Sequence, residues 1–229
     1  MAAESEDIGF QFSIPEYDPG YSSAANVAIR MGALAGRLVS IERTRCIHPD
    51  GRAENDSEHS LMLSKVAPEL AVMLYPELDD NLVARFASLH DDVEAYVGDT
   101  PTDALSDLDL SGKEAREQQG LRRLMVEYAS FPRYLELIAA YESQSVPEAR
   151  FVRAVDKLMV LLIQIPNDGV VLRAHYSKEK FLSDNDLIME RDRHKYGEFD
   201  TIIELRQELT VLLAERYLSD STSAEPLDE

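Results

Sequence analysis

The sequence predicts an all-α fold, a helical bundle of about seven or eight helices. Apolar residues recur three or four positions apart over most of the 229 residues, which is the spacing of one helix face. No segment shows the strict alternation of apolar and polar residues that is typical of β-strands, and Pro and Gly residues separate the periodic segments. The segments assigned as helices span residues 26–43, 58–74, 79–96, 112–130, 132–143, 147–165 and 198–217.

Turn-forming residues place the boundaries of the first three helices. The helix predicted over 26–43 is followed by the segment CIHPDGRAEND, which we interpret as a loop because of its Pro, Gly and Asn content. Asp56 or Ser57 is expected to cap the second helix, and Pro68 inside that helix predicts a break or kink. The third helix is expected to end at Gly98.

Prolines divide the second half of the chain. Pro132 and Pro147 separate three consecutive helices, and Gly169 follows the last of them. Residues 170–196 have mixed periodicity and permit no definite assignment. Residues 198–217 have a regular apolar face, which indicates a final helix.

The length is sufficient for one domain with a full core. We expect an irregular N-terminal arm over residues 1–22, a single domain with a C-terminal helical extension over 23–218, and a disordered acidic tail over 219–229. The single cysteine, Cys46, excludes an internal disulfide framework and suits a reducing compartment. Neither a signal-peptide pattern nor an apolar run of about 18 residues is present, so we predict a cytoplasmic protein that does not enter a membrane.

The charge of the chain argues against binding to nucleic-acid polymers. It contains 43 acidic and 23 basic residues, which gives a formal net charge of −20. Such a surface repels phosphate backbones, and polymer binding needs clustered Lys and Arg residues. A small anionic substrate is still compatible with this charge if a metal ion and a few arginines converge at one site.

Four polar residues on the predicted helices carry the candidate chemistry. His59 lies at the start of one helix, His90 and Asp91 lie late in the next, and Asp156 interrupts an otherwise apolar helix. Each has an ordinary interpretation, because a lone helical His is usually a surface or satisfied core residue and Asp156 could pair with Lys157. Their occurrence together favours a shared metal ion, and imidazole with carboxylate suits Mn, Fe, Co, Ni or Zn.

The chain resembles the HD-domain phosphohydrolases in the ordered pattern H…HD…D. Within that family it is similar to the bacterial 5′-deoxynucleotidases and their phage and eukaryotic relatives, through the segments RTRCIHPDGRAENDSEHS, HDDVEAYVGDTPT and AVDKL. The resemblance covers roughly residues 26–165. It implies an HD-domain helical bundle, a homodimer, and removal of the 5′-phosphate from (deoxy)nucleoside monophosphates.

The resemblance also implies a role for individual positions. Glu94, in HDDVE, matches the acid that orients or activates the attacking water, and Asp99, in VGD, matches a second acid that lines the substrate site. The implied cofactor is a divalent transition metal, namely Mn, Co, Fe, Ni or Zn, with Mg ranked below them. The positions that match the four metal ligands of the family are His59, His90, Asp91 and Asp156.

Three arginines are candidates for contacts with the substrate phosphate. Arg43 matches the phosphate-contacting arginine of the family, Arg45 is a rival for that role, and Arg52 is a further candidate for an anion contact. Some members follow the first arginine with a tryptophan that helps to exclude ribose. Thr44 stands at that position here and the chain has no Trp, so selectivity for deoxyribose does not follow from the resemblance.

Three other functions stay open at this point. The same site could act as a dNTP triphosphohydrolase that releases tripolyphosphate, because the difference lies only in the space beyond the α-phosphate. A non-catalytic HD-like nucleotide-binding regulatory protein is a second alternative, ranked lower because the metal-ligand positions and Glu94 are all present. Hydrolysis of cyclic nucleotides or alarmones is a third alternative, ranked lower than the nucleotidase hypothesis because the chain lacks a GYP-type signature.

Overall fold

The structure is a computed structural model that describes residues 13–98 and 107–219, with residues 44, 45, 107–111 and 113 described by their backbone only. The α-helices within these ranges are α1 Ser23–Leu38, α2 Asp56–Leu74, α3 Asp80–Leu89, α4 Asp107–Glu127, α5 Pro132–Glu142, α6 Pro147–Leu162, α7 Val170–His175, α8 Lys178–Tyr196 and α9 Asp200–Tyr217. Two short strands, β1 Glu42–Ile47 and β2 Ala53–Asn55, and two 3-10 turns, Glu94–Tyr96 and Gly197–Phe199, complete the described elements.

The centre of the core lies where α2, α3 and α6 pack against one another. Each helix contributes fully buried apolar side chains, for example Leu63, Phe86 and Phe151. Burial of one side chain of this size stabilises the fold by about 1.5–3 kcal/mol. Helix α5 packs on α3 and α6, and α9 covers another side of α6 together with α8. The three central helices therefore fix the relative positions of any polar residues at their shared edge.

The stretch predicted as the end of the first helix is instead a strand. Helix α1 ends at Leu38, and β1 pairs with β2 as an antiparallel two-stranded sheet in which Arg43 is the partner of Glu54. The ladder is irregular between Arg43 and Ile47, and β2 has only three residues. A strand this short does not produce a readable alternation in the sequence, which is why the pattern predicted helix and then loop.

Helix α2 departs from the prediction at its cap and at its proline. The N-cap is Asn55 rather than Asp56 or Ser57, because the Asn55 side chain accepts a hydrogen bond from the Glu58 backbone N–H while the Glu58 side chain accepts one from the Asn55 N–H. The helix also continues through Pro68. Buried Ala67 and side chains on both sides of the proline hold the two halves against α3 and α6.

The third predicted helix ends earlier than expected. Helix α3 stops at Leu89, and residues 90–93 form tight turns that lead into the 3-10 turn Glu94–Tyr96. Residues 170–196, which the sequence left unassigned, form α7 and α8. Helix α7 has only six residues, and the polar composition of α8 gives that helix a weak apolar face. Both helices gain stability from apolar packing against α9 and the end of α6.

The all-α class is confirmed. Of the predicted arm, residues 13–22 contain no helix or strand and contact α1, where Arg30 donates a hydrogen bond to the Pro15 carbonyl. Residues 1–12, and all but the first residue of the acidic tail predicted over 219–229, lie outside the described residues, so these domain limits stay a prediction. Among the described helices, none has the length and apolar character needed to cross a membrane.

Candidate active site

His59 lies one turn inside α2, at the point where α2 meets α6. It is buried, and its Nε2 is 2.9 Å from Asp156 Oδ1 on α6. Its other ring nitrogen, Nδ1, is 3.6 Å from Glu54 Oε2. Burial lowers the pKa of His59, but the hydrogen bond with Asp156 and the nearby Glu54 carboxyl outweigh that effect and raise the pKa to about 9. The environment of this ring therefore attracts positive charge strongly.

His90 and Asp91 follow directly on the last residue of α3. His90 Nδ1 is 2.9 Å from the Ala87 carbonyl oxygen, which assigns the proton to Nδ1 and leaves the lone pair on Nε2. Asp91 Oδ2 lies 2.9 Å from His90 Nε2. Nε2 makes no hydrogen bond with the described residues although it is buried. A buried lone pair that faces a carboxylate oxygen is electrostatically unfavourable, and a cation bound between the two atoms would compensate for it.

Asp156 lies in the middle of α6, where the sequence offered either a metal or a basic neighbour as its partner. The structure gives it both kinds of contact, because Oδ1 faces His59 while Oδ2 is 2.8 Å from the Lys157 ammonium. Burial raises the pKa of Asp156, but Lys157 and the two histidines outweigh burial and hold it well below its usual range. One oxygen of this carboxylate is thus held by Lys157 and the other points into the site.

The four predicted ligands converge on one point. The His59–Asp156 and His90–Asp91 pairs are 2.9 Å apart, and the cross pairs His59–Asp91 and His90–Asp156 are 3.9 Å apart, all measured between Nε2 and the nearest carboxylate oxygen. Donors that share an ion at about 2.1 Å lie about 3–4 Å from one another. One side-chain donor atom each from His59, His90 and Asp91 lie within 4.8 Å of one another, and Asp156 Oδ1 joins them through its contacts with the two histidines. This mixed set of nitrogen and oxygen donors suits a divalent metal ion.

Arg43 lies beside this cluster, on β1. Its Nη1 is 3.4 Å from Asp56 Oδ1 and 3.3 Å from Asp91 Oδ2, and its Nε is 3.6 Å from Glu54 Oε2. A cation among three buried or nearly buried carboxyl groups offsets the cost of their desolvation. The position also puts a guanidinium group next to Asp91, where a phosphate on the metal side would be within its reach.

Glu94 opens the 3-10 turn and lies on the same side of the site. One carboxylate oxygen each from Asp56, Asp91 and Glu94 lie within 4.8 Å of one another. The sequence predicted that Glu94 shares a helix face with His90. In the structure Glu94 instead follows a tight turn, in which its N–H donates a hydrogen bond to the Asp91 carbonyl. Asp99, the second predicted acid, lies outside the described residues.

The other two predicted arginines differ from Arg43. Arg52 lies in the turn between β1 and β2 and forms a bidentate pair with Glu58, at 2.7 Å and 2.6 Å. Its side chain is 50% exposed. Arg52 thus pairs with Glu58 on the outer side of the hairpin and does not contact the four converging residues. The side chain of Arg45 is outside the described residues.

The structure adds four residues that the sequence reasoning missed. Glu54 and Asp56 are fully buried beside Arg43, and Tyr141 packs edge-on against His90 with ring centroids 6.3 Å apart. Asp92 is buried and accepts a hydrogen bond from Tyr134 Oη at 2.8 Å, and burial raises its pKa to about 7. For the three acids, the available signal was their position next to the predicted ligands in ENDSEHS and HDD, whereas acidic residues at helix starts usually face solvent. Tyr141 lies in neither segment.

Comparisons with known proteins agree with this geometry. A family model described as HD domain matches residues 35–195. The chain is 29% identical to 5′-deoxynucleotidase HDDC2 of Homo sapiens over 131 residues, which is 56% of this chain and 62% of that protein. It is 29% identical to the Mus musculus protein of the same name over 140 residues, 58% of this chain and 66% of that one. The matches thus span less than two thirds of these curated relatives.

A solved structure extends the likeness beyond the sequence match. It is the 1.37 Å crystal structure of a predicted metal-dependent phosphohydrolase from Magnetospirillum magnetotacticum, with a TM-score of 0.63 and 26% sequence identity. The similarity covers 86% of this chain and 97% of that one. The likeness therefore includes the late helices as well as the part that carries the four converging residues.

Proposed function

Because the chain belongs to the HD domain family, we propose that it is a metal-dependent phosphohydrolase that removes the 5′-phosphate from (deoxy)nucleoside monophosphates. One observation carries the proposal: His59, His90, Asp91 and Asp156 converge from three separate elements with donor spacings of 2.9–3.9 Å. The names of the curated relatives support the class of substrate, and the name of the solved structure supports metal dependence.

The four residues would hold one divalent metal ion, for which Mn, Co, Fe, Ni and Zn suit the mixed nitrogen and oxygen donors better than Mg. Such an ion supplies Lewis acidity toward the phosphoryl oxygens and lowers the pKa of a water toward about 7 in favourable cases. Lys157 holds the second oxygen of Asp156, which fixes the carboxylate that faces the histidines.

The chain's own groups account for the remaining requirements of phosphoryl transfer. Glu94 accepts a proton from the attacking water, or holds that water in line, from its place beside Asp91. Arg43 neutralises charge on the phosphoryl oxygens, which is the main task in this chemistry. Asp99 stays a proposed contact on the substrate side. We further propose a homodimer, as the family resemblance implies, and a cytoplasmic location, which the single cysteine Cys46 favours.

The test is a substrate panel of dNMPs, NMPs and dNTPs, each assayed with Mn²⁺, Co²⁺ and Mg²⁺. Release of inorganic phosphate from monophosphates, dependent on added metal and abolished by a chelator, is the expected result. Release of tripolyphosphate from dNTPs would assign the site to triphosphohydrolysis instead. Nucleotide binding without turnover under any metal would identify a non-catalytic binding protein and overturn the proposal.

A further inference from the structure

The two histidines of the candidate metal site are anchored on their outer side by different groups. His90 Nδ1 is held by a backbone group, the Ala87 carbonyl, at 2.9 Å. No carbonyl of the described residues accepts a hydrogen bond from His59 Nδ1, which instead faces the side-chain carboxylate of Glu54 at 3.6 Å. A backbone anchor forms with the helix itself, whereas a side-chain anchor has to be placed by another part of the fold.

Glu54 is placed by the β-hairpin. It lies on β2 opposite Arg43 of β1, and the two are partners in the strand register. Helix α2 begins only two residues later, so His59 follows Glu54 closely in the chain. The short sheet thus positions one carboxylate against two other side chains, with Oε2 at 3.6 Å both from Arg43 Nε and from His59 Nδ1.

Glu54 is buried beside Arg43, His59 and the thiol of Cys46, whose pKa is raised by burial and by the Glu54 charge. The Glu54 side chain is 1% exposed, and neither carboxylate oxygen makes a hydrogen bond with any described residue. A buried carboxylate is unfavourable unless positive groups compensate for it. The two contacts at 3.6 Å are ion-pair distances that small movements of the rings and guanidinium would convert into hydrogen bonds.

We propose that Glu54 is a positioning residue that orients the metal ligand His59 and the phosphate contact Arg43 together. This inference rests on the proposed function. A carboxylate behind a ligating histidine keeps the proton on the outer nitrogen, fixes the ring and makes the inner nitrogen a better donor. Since the same oxygen also faces Arg43, the metal side and the phosphate side of the site share one anchor.

Metal binding by the variant Glu54→Gln tests the proposal, measured with Mn²⁺ alone by calorimetry and with Co²⁺ by its visible absorption. The amide has the same shape but lacks the negative charge. We expect Mn²⁺ affinity to fall about 10- to 100-fold, the loss typical of such outer partners, and inhibition by inorganic phosphate to weaken as well. Glu42→Gln, an exposed substitution on the same hairpin, is the matched control and should bind Mn²⁺ within about twofold of the wild type.

The outcomes separate this role from the proposed function. If the wild type binds Mn²⁺ and hydrolyses dNMPs while Glu54→Gln binds Mn²⁺ equally well, the positioning role is overturned and the proposed function stands. If the wild type binds no divalent metal, both fail together. If thermal melting shows that Glu54→Gln does not fold, Mn²⁺ binding is measured on Glu54→Asp instead. This variant keeps the negative charge but moves it away from His59 and Arg43 by one methylene. Wild-type Mn²⁺ affinity in that variant would equally overturn the proposal.

Discussion

Two regions of this protein contain ion pairs that differ in length and in burial. One pair is longer and buried, and the other is shorter and exposed. In the metal cluster, defined as His59, His90, Asp91 and Asp156 together with Arg43, the Arg43–Asp91 pair is 3.3 Å long and Asp91 is buried. In the hairpin rim, defined as His48, Arg52 and Glu58, the Arg52–Glu58 pair is only 2.6 Å long. Arg52 is 50% exposed, compared with 20% for Arg43.

The shorter ion pair, Arg52–Glu58, is therefore expected to matter less for stability and activity than the longer pair, Arg43–Asp91. Water and salt screen the rim, so an exposed pair of this kind contributes little to the stability of the fold. In the cluster, loss of one partner leaves the others buried with uncompensated charge, which typically costs about 3–5 kcal/mol. The Arg52 hydrogen bond lowers the pKa of Glu58 to about 2, so this carboxylate stays ionised at neutral pH without entering the site. Substitutions in the two regions should therefore differ sharply.

The largest effect is expected for Asp91→Ala in the metal cluster. It removes one of the proposed metal ligands and a partner of Arg43. Turnover should fall by about 10⁴-fold or more, because Lewis-acid stabilisation of several kcal/mol and activation of the water are lost together. Phosphate release and Mn²⁺ calorimetry measure it. Asp80→Ala, an exposed substitution in the first turn of α3, is the control, and full activity of Asp91→Ala would remove Asp91 from the proposed ligand set.

Glu94→Gln should separate metal binding from catalysis. Loss of a general base typically lowers turnover by about 10²–10⁴-fold, whereas Mn²⁺ affinity should stay within a few fold because Glu94 is not one of the four converging ligands. Single-turnover kinetics and calorimetry on the same preparation give both values. Glu69→Gln, exposed on α2, controls for the loss of one negative charge. Normal turnover in Glu94→Gln would exclude Glu94 from the mechanism.

Arg43→Lys should weaken phosphate recognition while it preserves the charge that the buried carboxylates need. Lysine is a point charge without the planar fork of arginine, so we expect KM and the inhibition constant of inorganic phosphate to rise about tenfold, or about 1.4 kcal/mol. The thermal midpoint should change little. Arg85→Lys, exposed on α3, provides the same exchange away from the site, and an unaltered phosphate constant in Arg43→Lys would contradict the assignment.

The smallest effect is expected at the rim, for Arg52→Ala. Its guanidinium is already paired with both oxygens of Glu58, so KM should change by less than about twofold, with no measurable shift in the thermal midpoint. Steady-state kinetics beside Arg43→Lys make the comparison direct. A tenfold rise in KM for Arg52→Ala would show that the hairpin turns inward over the substrate and that Arg52 contacts it.

The sequence predicted the helices with long apolar periods best. The segments 58–74, 132–143 and 147–165 correspond closely to α2, α5 and α6, because a buried helix face leaves a regular pattern. The prediction missed β1 and β2, which pair with each other and are too short to show a clear alternation. It also missed α8, whose polar sequence is stabilised by packing. It also placed a helix through His90 and Asp91, where the chain in fact leaves α3.

The all-α class, the family and the identity of the four converging residues could be inferred from the amino-acid sequence, because periodicity and short motifs are local properties. The fold was needed to show that Arg43 rather than Arg52 lies at the cluster, and that Glu54 and Asp56 are buried there instead of facing solvent. The reason is physical: whether an acidic or basic side chain is buried depends on the register of the hairpin and on the packing of α2, α3 and α6. The spacing of residues along the chain does not predict any of these contacts.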